Sequence, residues 1–159
     1  ALSGAGWRLL FDKEALAGNV NPLIPGEEEK LIAELKYLLG IEIPVIASCN
    51  RVPEKDGHFV SCGVEVSKET SLEEVLELMN IPTLNLPSSP KVVNNIIDDS
   101  PNRKEHLWEG DGMTTTVGNI RVNGNIIRFD ALSHNTVRGA AGGVILLAEF
   151  AVKESYITK

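Results

Sequence analysis

Arg51 and His58 are the two residues of this sequence whose types and spacing most directly suggest chemistry. They flank a turn-forming stretch of six residues, 52–57. If the segments on either side pair as strands across this turn, both side chains come to the same end of a sheet. A guanidinium is a planar fork that suits a carboxylate, and an imidazole transfers protons near neutral pH. Spacing alone favours the alternative, a surface arginine and a histidine that caps the turn.

A second group of charged residues, Glu27, Lys30 and Glu34, falls on one face of a predicted helix. Their spacing by itself favours a solvated ion pair, which stabilises a helix by about 0.2–0.5 kcal/mol. Negative side chains at the start of a helix also suit its dipole.

The two cysteines, Cys49 and Cys62, are thirteen positions apart and have no CxxC spacing. This pattern favours reduced thiols over a disulfide framework or a zinc site. Cys49 precedes Arg51 by two residues, so a Cys49–His58 nucleophile–base pair of a cysteine hydrolase is conceivable. We disfavour it because cysteines in strands are mostly buried and inert, and no oxyanion-hole signature accompanies Cys49.

The hydrophobic pattern predicts the elements that must hold these residues. Leucines at helical spacing before a glycine predict a helix over 27–39. Residues rich in β-branched side chains predict strands at 43–51 and 59–66, on either side of the Pro53–Gly57 turn.

Further along, Ser71 and Glu74 form a capping box that predicts a second helix ending near Asn80. The stretch 83–113 is poorly patterned, with one possible strand at 92–97. So long a connection usually serves binding or an interface.

The strongest hairpin signal joins strands at 114–122 and 125–132 through Asn123-Gly124. A glycine-rich helix is predicted over 136–153, where the glycines suggest close backbone approach to another element or a ligand. Strand pairs alternating with helices predict an α+β domain with a mainly antiparallel sheet and helices packed on one face.

Composition narrows the function classes. The chain has 159 residues, of which 43% are hydrophobic and 23% charged, as in an ordinary globular domain. Its net charge of −7 argues against a nucleic-acid partner, because phosphate binding requires a basic face. No run of residues is long and apolar enough to predict a membrane span, and the glycines near 139–143 match no phosphate-binding loop.

Six short motifs occur in an order that resembles the C-terminal portion of archaeal and fungal aspartate-semialdehyde dehydrogenases, over nearly the whole chain. Each motif is weak by itself, but their succession is specific. The motifs are Ser3-Gly4-Ala5-Gly6, Gly26-Glu27-Glu28-Glu29-Lys30, Cys49-Asn50-Arg51-Val52-Pro53 with Asp56-Gly57-His58, Leu86-Pro87-Ser88-Ser89-Pro90, Gly112-Met113 and His134-Asn135-Thr136-Val137-Arg138-Gly139-Ala140-Ala141-Gly142.

The resemblance implies a fold and an activity. It implies that 1–159 is one substrate-binding and dimerisation domain of the kind found in glyceraldehyde-3-phosphate dehydrogenase. The segment 135–153 is then expected to pack against an N-terminal NADP-binding domain that also ends near the nucleophilic cysteine. The implied reaction is the NADPH-dependent reductive dephosphorylation of aspartyl-4-phosphate to aspartate semialdehyde and phosphate, in lysine, methionine and threonine biosynthesis. The resemblance further implies a cytoplasmic homo-oligomer, a dimer or a tetramer, without nucleic-acid or membrane partners.

The same resemblance implies roles for individual residues. His58 corresponds to the acid/base catalyst, and Arg51 to the residue that binds the substrate carboxylate. Lys30 corresponds to the phosphate-binding residue, and Glu27 to the residue that meets the ammonium group, with its neighbour Glu28 as the alternative. Ser3, Gly4 and Asn135 correspond to residues that contact NADP.

Two alternatives remain open from the sequence. One is a paralogous malonyl-CoA reductase, which shares the His134–Gly142 motif, although its substrate has no ammonium group for a cluster such as Glu27–Lys30 to bind. The other is a dimerisation module without catalysis. Because Cys49 matches a position that is not the nucleophile of the family, we expect this chain alone to be inactive.

Overall fold

A computed structural model describes residues 19–20, 25–40 and 42–157 of the chain. The chain divides into two compact units, 1–55 and 56–159, which are described separately. This division does not test what the units do. The prediction that 1–159 is one substrate-binding and dimerisation domain therefore stays a prediction. Ser3 and Gly4 lie outside the described residues. None of the described helices has the length and apolar content that a membrane crossing requires.

The first unit contains helix α1, Glu27–Leu39. Gly26 precedes it with φ 80° and Gly40 ends it with φ 64°, two left-handed conformations that glycine adopts without strain. Three glutamates occupy the first turn, where the helix dipole favours negative charge. The helix predicted over 27–39 is therefore confirmed to the residue.

The strand predicted at 43–51 is wrong, because residues 42–50 have an irregular conformation. The segment has the composition of a strand, but Pro44 has no N–H to donate to a ladder. The Cys49 N–H donates to the Glu28 carboxylate at 2.8 Å instead of to a neighbouring strand. The hairpin predicted across Pro53–Gly57 consequently does not form.

The second unit is built on one sheet of four strands in the order β1-β4-β3-β2, among the residues described. The β1–β4 and β4–β3 pairs are antiparallel, and the short β2 is parallel to β3. This confirms the α+β class with a mainly antiparallel sheet. The elements are β1 His58–Glu65, α2 Leu72–Met79, β2 Asn94–Ile96, α3 Arg103–His106, a 3-10 turn Glu109–Gly112, β3 Thr115–Asn123, β4 Ile126–Ser133, a π-helical turn Val137–Ala141 and α4 Gly142–Lys153.

In the second unit the predicted capping box is confirmed, and the predicted hairpin forms with a shifted loop. Ser71 and Glu74 form both hydrogen bonds of the predicted capping box at the start of α2. The β3–β4 hairpin forms with its two-residue loop one position later than predicted, at 124–125, because Asn123 pairs with Ile126. Gly124 has φ 62° and is the first loop residue, as in a type II′ turn.

The buried apolar core of the second unit contains side chains of the sheet and of helices and loops outside it. Gly142 shows how closely they pack, since a Cβ on it would lie 2.4 Å from the Met113 Sδ. This confirms that a glycine in the last helix permits close backbone approach. The buried apolar side chains are Val75, Leu107, Met113, Val117, Leu132 and Leu146.

A buried carboxylate, Asp130 on β4, joins three neighbouring segments. It accepts hydrogen bonds from Ser61 Oγ on β1 at 2.6 Å, Asn119 Nδ2 at 2.8 Å and Ser100 Oγ at 2.9 Å. Asn119 has φ 51° and lies in the register shift between Gly118 and Arg121 on β3. The Ser61 hydrogen bond, with those from Asn119 and Ser100, lowers the pKa of Asp130 below its usual value, against the opposing effect of burial.

We expect Asp130→Asn to lower the free energy of unfolding by about 1–2 kcal/mol at neutral pH, because an amide cannot accept from all three donors. A lowered folded-state pKa stabilises the fold above the unfolded pKa of about 4, and that contribution is lost as the pH falls through the folded value. The difference from the wild type should therefore shrink in acid. Urea unfolding at several pH values measures it, with exposed Asp98→Asn as the control. An equal loss for both variants would contradict the role of Asp130.

Candidate functional site

His58 is the first residue of β1 and lies opposite Ser133, the last residue of β4. Its side chain is exposed. Because the two strands are antiparallel, the residues that follow Ser133 come to the same end of the sheet as the residues that precede His58. The antiparallel ladder thus brings His58 and Asn135, predicted from motifs far apart in the sequence, to the same end of the sheet.

Asn135 is fixed to the turn that leads into His58. Its Oδ1 accepts a hydrogen bond from the Gly57 N–H at 2.8 Å. The side chain is half-buried, whereas that of His58 is exposed. The structure therefore shows an exposed imidazole that directly follows a peptide bonded to an anchored amide.

His134, directly before Asn135, is a buried histidine that the sequence did not single out. It is 1% exposed, and its ring meets the Trp108 ring edge-on with 4.4 Å between centroids. Its Nδ1 lies 3.3 Å from Thr136 Oγ1, and its Nε2 has no hydrogen-bond partner among the described residues. Its position within the His134–Gly142 motif was the available signal, but residue type alone did not distinguish a packed imidazole from a catalytic one.

Gly112 lies beside His134, at a position where a larger residue would be crowded. It has φ 80°, and a Cβ there would lie 3.3 Å from both His134 Cδ2 and Val137 Cβ. A larger residue would be strained in its backbone and would press on the histidine. The predicted Gly112-Met113 motif thus packs against the segment that holds Asn135.

The first unit contains the other predicted site residues. Glu27 is half-buried at the start of α1, and Lys30 is exposed. The Lys30 Nζ lies 3.7 Å from Glu34 Oε1, so the helical ion pair forms with Glu34. Both side chains are more than half exposed, which limits the contribution of this pair to stability.

Glu28 and Arg51 differ in what the structure shows for them. The Glu28 carboxylate accepts from the Cys49 N–H, which gives it a local structural role. Arg51 is half-buried and takes part in further interactions within the structure. Arg51 and His58 belong to different compact units, so a cavity shared by them stays a prediction.

Neither cysteine has the environment of an activated nucleophile. Burial raises the pKa of Cys49, and the negative charges of Glu28, Glu27 and Glu29 raise it further. Burial raises the pKa of Cys62, followed by the charge of Asp130. A raised pKa reduces the thiolate fraction that attacks an electrophile. This supports the expectation that neither Cys49 nor Cys62 is the nucleophile.

The sequence profile of the family described as semialdehyde dehydrogenase, dimerisation domain, matches residues 1–138. The chain belongs to the semialdehyde dehydrogenase family. A curated aspartate-semialdehyde dehydrogenase from Archaeoglobus fulgidus is 42% identical over 99% of this chain, which covers 49% of that relative. The resemblance to aspartate-semialdehyde dehydrogenases is therefore confirmed.

A solved member of this dehydrogenase family has the same fold. The crystal structure of aspartate-semialdehyde dehydrogenase with NADP from Candida albicans matches with a TM-score of 0.78 and 32% identity, over 91% of this chain and 47% of that one. The fold class predicted from the sequence, including its likeness to the C-terminal domain of glyceraldehyde-3-phosphate dehydrogenase, is confirmed. The chain spans about half the length of the relatives it matches.

A malonyl-CoA reductase is also similar to this chain. A malonyl-CoA reductase (NADP) from Metallosphaera sedula is 33% identical over 100% of the chain, which covers 50% of that relative. This identity is lower than the 42% shared with the Archaeoglobus enzyme. Similarity therefore favours aspartate-semialdehyde dehydrogenase over malonyl-CoA reductase.

Proposed function

We propose that this chain is the C-terminal half of an NADP-dependent aspartate-semialdehyde dehydrogenase. The complete dehydrogenase, meaning this chain joined to an N-terminal NADP-binding domain, reductively dephosphorylates aspartyl-4-phosphate to aspartate semialdehyde and phosphate. The observation that carries this proposal is the exposed His58 at the end of the sheet, beside the anchored Asn135, in a chain of this family. The reaction belongs to lysine, methionine and threonine biosynthesis in the cytoplasm.

His58 is proposed as the acid/base catalyst. The nucleophile is a cysteine thiol of the N-terminal domain, and a thiol attacks only as its thiolate. An exposed imidazole can accept the thiol proton. It can later donate or accept the hydroxyl proton of the thiohemiacetal that forms on that sulfur. The start of β1 is fixed through the ladder to β4, which gives His58 a rigid base.

Three charged residues of the first unit are opposite in sign to the three charged groups of the proposed substrate. Aspartyl phosphate carries one carboxylate, one ammonium group and one phosphate. Arg51 is proposed to bind the carboxylate, Lys30 the phosphate and Glu27 the ammonium group. Because the Glu28 carboxylate is engaged by the Cys49 N–H, Glu27 is favoured over Glu28 for the ammonium group.

NADP is proposed as the cofactor, bound mainly by the N-terminal domain. The cofactor supplies the hydride of the reduction. From this chain, Ser3 and Gly4 are proposed to lie against NADP and Asn135 to approach its nicotinamide end. Asn135 fits that role chemically, since a half-buried, anchored amide side chain can hydrogen-bond to another carboxamide.

Helix α4 is proposed to pack against the N-terminal domain. Its sequence is apolar on nearly every side, as in helices that are buried all round. Within the described residues, however, only Leu146 of this helix is buried. The side chains of Val144 and Leu147 are each 65% exposed, so an additional partner surface is expected. The match to a dimerisation domain supports a homo-oligomer, proposed as a dimer or a tetramer.

The complete dehydrogenase is expected to oxidise NADPH with aspartyl phosphate, with malonyl-CoA a much poorer substrate. This chain alone is expected to show no turnover, because both of its cysteines have raised pKa values and the nucleophile lies elsewhere. The loss of NADPH absorbance measures both reactions. Preference for malonyl-CoA would favour the reductase alternative. Turnover by this chain alone would restore Cys49 as a candidate nucleophile, which Cys49→Ser would then test.

A further inference from the structure

The peptide group that joins Asp56 to Gly57 is held by a side chain at each end. Arg103 Nε, on α3, donates a hydrogen bond to the Asp56 carbonyl oxygen at 2.6 Å. Asn135 Oδ1 accepts from the Gly57 N–H at 2.8 Å. The carbonyl and the N–H belong to one planar unit, so two hydrogen bonds on opposite sides fix its orientation. We call this arrangement the peptide clamp: Arg103, Asn135 and the Asp56–Gly57 peptide.

The clamp acts where the backbone has an unusual conformation. Gly57 has φ +115°, which side-chain-bearing residues rarely adopt. A Cβ at Gly57 would also lie 3.4 Å from Leu107 Cδ1 and 3.7 Å from Arg103 Nε. Glycine has many accessible conformations, so an external restraint is needed to keep a single one here. His58 is the next residue.

Both arms of the clamp extend from well-anchored positions. Arg103 is the first residue of α3, which is capped by Asn102 and followed by Leu107, a residue 3% exposed. Asn135 follows His134, which is 1% exposed and packs on Trp108. The peptide clamp therefore holds the turn before His58 against anchored parts of the second unit.

We propose that Arg103 and Asn135 are positioning residues that aim the His58 imidazole by fixing the peptide before it. This inference depends on the proposed acid/base role of His58. Arg103 acts through His58 and does not need to touch the substrate. Its loss should therefore lower kcat and leave KM unchanged, since misplacing a catalytic group by about 1 Å can cost about 100-fold in rate.

A matched pair of variants in the complete dehydrogenase isolates the Arg103 hydrogen bond. Arg103→Gln places an amide nitrogen at the same distance along the side chain as Nε, whereas Arg103→Met places a methyl carbon there. Both variants remove the positive charge. We expect Arg103→Met to lower kcat by about 10-fold with unchanged KM values, and Arg103→Gln to retain kcat within about threefold. Equal losses in the two variants would show that charge, and not the clamp, matters.

A double-mutant cycle separates positioning from a general structural effect. In a His58→Gln background, Arg103→Met should have no further effect on kcat, because the group that it positions is already absent. The same loss in both backgrounds would overturn the proposal. If His58→Gln itself leaves turnover intact, the proposed function fails instead, and the two failures are thus distinguishable. Hydrogen exchange of the peptide spanning 52–60, faster in Arg103→Met than in Arg103→Gln, provides a readout independent of activity.

Discussion

Replacing His58 by glutamine in the complete dehydrogenase is expected to lower kcat by a factor of about 10²–10⁴, equivalent to about 3–5 kcal/mol in the activation barrier. Glutamine keeps a hydrogen-bonding side chain but cannot take up and release a proton near neutral pH. The side chain of His58 is exposed, so the substitution should leave the core and the β1–β4 ladder intact. Substrate and NADPH KM values should change much less than kcat.

The exposed Glu65 at the other end of β1 offers a matched control. Glu65→Gln changes a polar side chain on the same strand and should leave kcat within about twofold of the wild type. Steady-state kinetics of both variants against the wild type measures the effect. A kcat of His58→Gln close to that of the wild type would remove His58 from the reaction.

Replacing Arg51 by lysine is expected to raise the KM for aspartyl phosphate, with a loss of roughly 1.5–3 kcal/mol in kcat/KM. Lysine keeps the positive charge but is a point cation, whereas the guanidinium binds a carboxylate through two parallel hydrogen bonds. The KM for NADPH should not change, because the substrate carboxylate is the proposed ligand. Arg51 is half-buried, so part of the loss comes from imperfect replacement of its packing.

Arg121→Lys on β3 is the matched control for this arginine. Arg121 is exposed and pairs with Arg128 across the hairpin, and no site role is proposed for it. Its conversion to lysine should leave all kinetic constants near those of the wild type. Equal kinetics for Arg51→Lys and the wild type would show that Arg51 does not bind the substrate.

Local patterns predicted the elements whose stability is local. Helix α1 begins and ends where its leucines, glutamates and flanking glycines predict. The Ser71–Glu74 capping box forms as predicted because all of its hydrogen bonds lie within four residues. The hairpin loop was predicted with an error of one position, since both neighbouring asparagines are compatible with a turn around Gly124.

The failed strand at 43–51 shows the limit of such patterns. Its β-branched residues have strand propensity, but a strand also needs a partner for its N–H groups. β1 forms its ladder with β4, which is more than sixty residues away in the sequence, as the His58–Ser133 pair shows. The Pro53–Gly57 turn suggested that β1 would pair with the segment just before it. In the structure β1 pairs with β4 instead.

The sequence by itself determined the family, the main helix and hairpin boundaries, and which residue types are available for chemistry. These features depend on short-range spacing or on the order of motifs. Only the tertiary structure decided that His134 is buried against Trp108, that Asp130 joins three segments, and that Arg103 and Asn135 hold one peptide before His58. Those contacts link residues 30 to 80 positions apart in most cases. They depend on how the strands pair and on which buried polar groups need a hydrogen-bond partner. The spacing of residues along the sequence does not determine either.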